Sequence, residues 1–87
     1  MQVKWFVRYT MREIKGRFDF ALEAVQSGND ALFDFYRGEG GGMFQALYAA
    51  LCDIDPHIGG LVNKWYFRRL DALHEAARQA RRARQGW

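Results

Sequence analysis

Apolar and polar positions alternate at the start of the chain. Val3, Trp5, Val7, Tyr9 and Met11 are separated mostly by polar neighbours, and the stretch is rich in β-branched and aromatic residues. Both features predict a strand. Phe18, Phe20, Leu22 and Ala24 alternate in the same way. Between the two runs, Lys15-Gly16 has the form of a two-residue hairpin loop, with glycine supplying the positive φ of primed turns. That loop pairs Met11 with Phe20, Tyr9 with Leu22 and Val7 with Ala24 on one face. The other face sets Arg12 opposite Asp19 and Arg8 opposite Glu23, two opposite-charge pairs. A one-residue slip destroys every match.

A competing pattern runs through the same residues. Val3, Val7, Ile14, Phe18, Leu22 and Val25 recur at helical spacing. A helix there strands Trp5 and Tyr9 among Lys4, Arg8 and Arg12, and sets Gly16 in its middle at a cost of ~1 kcal/mol. The strand pattern is therefore preferred. The expected fold is α+β, an antiparallel hairpin over residues 3–25 followed by three helices, with an all-α fold as the alternative.

The remaining patterns are helical. Ser27 or Asn29 can cap a helix over about 29–37, with Asp30 in its first turn. Gly38-Glu39-Gly40-Gly41-Gly42 reads as a flexible joint. Met43, Phe44, Leu47, Leu51 and Ile54 mark a second helix over about 43–54. Asp55-Pro56 has the form of a helix start, and a long basic helix is expected over about 58–84. The whole is one small domain. A lone two-stranded ribbon is unstable in water, so the helices or a second copy of the chain must cover the hairpin, and a homodimer is one way to do so.

Composition adds two constraints. With 49% apolar and 16% aromatic residues the chain can build a core and still leave rings on its surface. Trp5, Tyr36, Tyr66 and Trp87 are the candidate aromatic anchors. A single cysteine, Cys52, forms no internal disulfide and suits a reducing compartment. The N-terminal residues lack a secretory pattern, and no apolar run approaches the ~20 residues of a membrane span. A cytoplasmic protein with no membrane partner is expected.

Charge is segregated. Lys4, Arg8, Arg12, Lys15 and Arg17 make the first segment basic, and residues 19–63 are acidic. The final helix carries Lys64, Arg68, Arg69, Arg78, Arg81, Arg82 and Arg84 against only Asp71 and Glu75. Its last turns have only alanine as an apolar side. Arg78, Arg81, Arg82 and Arg84, with Arg68 and Arg69, are therefore the candidate partner-binding residues. Complementing the helix dipole and pairing with the acidic middle are the structural alternatives.

Catalytic chemistry finds no frame. The glycine run lacks the Lys and Ser/Thr of phosphate loops. Asp53, Asp55 and His57 read as a helix cap and an exposed histidine rather than a metal site. Cys52 has no adjacent base and reads as a small core residue. His74 reads as a boundary residue. No enzyme activity, metal or cofactor is expected. The expected role is that of a small binding protein that occludes or regulates a macromolecular partner, a protein before a nucleic acid. This size and type is common among accessory proteins of phages and other mobile elements, a pool that includes inhibitors of host defence such as anti-CRISPR and anti-restriction proteins, and no residue here singles out that role.

Overall fold

The computed structural model describes residues 3–86 and consists of three helices, α1 (Val3–Gln26), α2 (Asp30–Ile54) and α3 (Pro56–Arg84). No strand occurs among the described residues, so the protein is all-α and the expected hairpin over 3–25 is wrong. Helical spacing wins because it buries more. Val7, Ile14, Phe18, Ala21, Ala24 and Val25 all fall on one buried stripe of α1. Ile14, which the hairpin register sets opposite Arg17 with no apolar partner, is fully buried. A helix also satisfies its backbone hydrogen bonds locally, whereas a two-stranded ribbon presents two open edges. Of the charges expected as cross-strand pairs, only Asp19 is taken up along the helix, while Arg8, Arg12 and Glu23 make no ion pair among the described residues. Lys15 bonds Asp19 at 2.9 Å, and Arg17 lies 3.5 Å from Glu13, both at the i,i+4 spacing that helices favour.

The glycine joint is also overturned. Residues 38–42 lie inside α2, which runs unbroken from Asp30 to Ile54. Each glycine weakens a helix by about 1 kcal/mol relative to alanine, yet the buried stripe of Phe33, Gly40, Phe44, Leu47 and Leu51 keeps helical register through the run. Tertiary packing of that stripe outweighs local propensity. At Gly40 the lack of a side chain is a packing requirement. A Cβ there would lie 2.7 Å from the Phe18 ring, so glycine lets α1 sit close to the α2 backbone.

Both reversals of direction are encoded locally. Gly28 adopts φ +87°, and the amides of Gly28 and Asn29 return to the carbonyls of Val25 and Ala24, closing α1. The Asn29 side chain accepts a 3.0 Å bond from the Leu32 amide and starts α2. Asp55 caps α3 by accepting from the Ile58 amide at 3.2 Å, with Pro56 at the first position, as its sequence predicts. Two short turns make α1 and α3 parallel to each other and antiparallel to α2. Hence Lys15 and Leu22 of α1 lie level with Arg69 and Ala76 of α3.

A candidate cation and aromatic surface

Helical spacing turns the N-terminal basic residues into a stripe. Lys4, Arg8 and Arg12 follow at i, i+4 and i+8, each about 6 Å further along α1, and all three are exposed. Trp5 and Tyr9 run beside them at the same spacing. Their rings stack at 5.4 Å with 12° between planes, and Trp5 is 61% exposed. The residues that seemed stranded in a helix are thus a stacked pair on its outer side.

Across the α1/α3 groove, the first half of α3 continues the positive surface. Leu61, Lys64, Trp65, Arg68, Arg69 and Ala72 line a shallow depression of about 590 Å³. Trp65 is half-buried against the core and Leu61 is exposed. The Arg69 guanidinium lies 5.8 Å from the Trp65 ring centre, within cation–π range. Lys15, paired with Asp19, lies level with Arg69 along the groove between the two helices. Among the described residues, Lys4, Arg8, Arg12, Lys64, Arg68 and Arg69 have no carboxylate within salt-bridge distance.

The C-terminal arginines behave differently. Arg81 and Arg84 each approach Asp30 Oδ1 at 3.3 Å, and Arg78 is paired with Glu75. Arg81 also lies 5.2 Å over the Phe33 ring. The Arg78 hydrogen bond and charge, with a smaller contribution from Arg82, hold the Glu75 carboxyl below the usual carboxylate range. Arg82 is exposed without an ion-pair partner among the described residues. Of the six arginines picked out by sequence, Arg68 and Arg69 stand on the α1/α3 surface, while Arg78, Arg81 and Arg84 are engaged by acids of the same chain.

The aromatic candidates divide similarly. Trp5 is exposed. Tyr36 is half-buried between Phe20 and Phe35, at 5.4 and 5.3 Å. Tyr66 is a core residue, stacked flat on Phe44 at 3.9 Å. Burial pushes its phenol above the ordinary value, partly offset by the charge of Arg37. Trp87 lies outside the described residues. Sequence reasoning missed Lys4, Arg8, Arg12, Lys64 and Trp65. Their i,i+4 repeats were the available signal, and the strand register had already assigned Arg8 and Arg12 to cross-strand partners.

Cys52, expected in the core, is exposed; its hydrogen bond to Tyr48 raises the Tyr48 phenol. His74 lies 3.4 Å from Arg37, and Asp55 is occupied as a cap. Among the described residues no three His, Cys, Asp or Glu side chains gather as metal donors, and no helix is long and apolar enough to cross a membrane. No protein-family model, curated protein or solved structure matches the chain.

Proposed function

We propose that this protein is a non-enzymatic binding module that docks on an anionic macromolecular partner through the α1/α3 surface, so occluding or regulating it. One observation carries the reading. Among the described residues, six cations on the neighbouring helices α1 and α3 (Lys4, Arg8, Arg12, Lys64, Arg68 and Arg69) have no ion-pair partner, in a small bundle that elsewhere pairs most of its charges. Like charges left together raise the energy of the free protein, and a partner that supplies the missing negative charge relieves that cost. The exposed Trp5–Tyr9 pair and the Trp65 depression supply the apolar anchors that charge alone lacks.

The test compares two variants of equal charge. Arg8, Arg12, Arg68 and Arg69 changed to Gln should lose retention on immobilised heparin, with a log–log salt slope lower by about 3 if each arginine accounts for ~0.7–0.9. Arg78, Arg81, Arg82 and Arg84 changed to Gln should bind much more like the parent. Equal losses in both variants would mean that net charge alone governs binding, and would remove the α1/α3 surface from the proposal.

A further inference from the structure

Resting on that reading, we infer that the α1/α3 surface takes single-stranded nucleic acid, with bases stacking on Trp5 and phosphates held by Arg8, Arg12, Lys64 and Arg68. The charge complementarity is that of a strand laid across two helices. Arg8 and Arg12 sit on successive turns of α1, and Lys64 and Arg68 on successive turns of α3. The two helices meet along a groove lined by Lys15 from one and Arg69 from the other, and Arg8, seven residues before Lys15, shares its face of α1. Arginine presents a planar fork that matches phosphate oxygens in bidentate fashion.

The aromatics separate this partner from the other polyanions. Trp5 and Tyr9 already form a near-parallel two-ring stack beside the cations, and the large exposure of Trp5 leaves ring surface on which the stack can grow. An unpaired base offers a π-face to extend it; base–aromatic stacking of this kind is tolerant of sequence. Duplex bases are already stacked and sealed from such a ring, and a run of acidic side chains has no aromatic face to offer. Trp65, flanked by Arg69, gives a second and more recessed ring beside Lys64 and Arg68. A strand crossing the groove therefore meets an aromatic ring and a pair of cations on each helix.

Fluorescence anisotropy with a labelled oligo-dT of ~20 nucleotides tests the assignment against duplex DNA of equal length and against poly-glutamate. Oligo-dT should bind tightest. With four phosphates neutralised, a slope of about −3 should weaken binding roughly two-hundredfold between ~50 and ~300 mM salt. Trp5→Ala should weaken binding roughly fivefold to a hundredfold, the effect of losing one stacked base, while Trp5→Phe, which keeps a ring, should restore most of it. Far-UV circular dichroism of each variant checks that the bundle is intact. Equal or tighter binding to duplex, or affinity indifferent to Trp5→Ala, would overturn the single-strand assignment. Preference for poly-glutamate would overturn nucleic acid as the partner while leaving the proposed function standing. Failure to bind any of these polyanions, heparin included, would remove both.

Discussion

At the far end of α3, Arg81 and Arg84 converge on one carboxylate, Asp30 in the first turn of α2, and Arg78 is held by Glu75. Some ten to twenty residues earlier on the same helix, Lys64, Arg68 and Arg69, like Lys4, Arg8 and Arg12 on the neighbouring α1, have no carboxylate within salt-bridge distance among the described residues. By sequence the first cluster is the denser and more conspicuous. In the folded chain it is the one most fully used, since it ties the C-terminal turns of α3 to the start of α2. What distinguishes structural charge from charge available to a partner is therefore the local balance of acids, which only the packing of the helices reveals.

The sharpest way to break this contrast is to read affinity and stability on the two quadruple arginine-to-Gln variants together. The α1/α3 variant should lose polyanion binding by the largest factor measured, with an unchanged or slightly raised Tm because like charges have been removed. The C-terminal variant should keep most of its binding and lose about 1 kcal/mol from its exposed ion pairs, a fall of about 4–8 °C in a domain of this size. Thermal melts and heparin elution measure both, and the reverse pattern would exchange the roles of the two clusters.

Alkaline stability comes next. It rests on Tyr66, a phenol buried in the core. Its phenol is raised above the ordinary value of about 10, chiefly by burial. A raised folded-state pKa contributes stability that is complete below the unfolded value and is lost as pH climbs through the folded one. Urea midpoints should therefore fall above pH 10 in the parent and fall less in Tyr66→Phe. Parallel curves would show that Tyr66 ionises without strain. A smaller effect is expected from Asp30→Asn. It removes the partner of Arg81 and Arg84 and an acid at a helix N-terminus, costing about 1 kcal/mol. Because it frees two arginines, it should also strengthen heparin retention; a variant that loses stability without that gain would mean the freed side chains find other partners.

How far this contrast could be read in advance depends on the segment. The Asn29 and Asp55 caps and the long basic helix are local signals and were legible, because a side chain bonding a backbone amide three residues on needs no tertiary context. Residues 3–25 were not. Their apolar residues satisfy period 2 and helical spacing at once, and only burial of Ile14 against the other helices decides between them. The glycine run misled for a related reason, since the force holding it helical comes from Phe18 and the flanking stripe of α2. A ribbon at residues 3–25 assigns Arg8 and Arg12 to cross-strand acids, whereas the helical spacing of α3 has no competing period and leaves Arg68 and Arg69 as candidates.

The smallest effect bears on the foundation of the comparison, because the α1 stripe exists only if α1 is helical through Gly16. Nothing lies within 4 Å of where a Cβ would stand on Gly16, and its φ is not in the positive region. Alanine fits there without strain, reduces the freedom of the unfolded chain and favours the helix, so Gly16→Ala should raise stability by about 0.4–1 kcal/mol. In the hairpin alternative the same residue sits in the turn at positive φ, where alanine is strained and the substitution destabilises. The two folds thus predict opposite signs for one substitution, measurable as a shift in the denaturant midpoint at constant m-value. Polyanion affinity should be unchanged, since residue 16 carries no charge and the helix geometry of Arg8 and Arg12 is already formed. A lowered midpoint would undo α1, and with it the cation stripe on which the contrast between the two clusters depends.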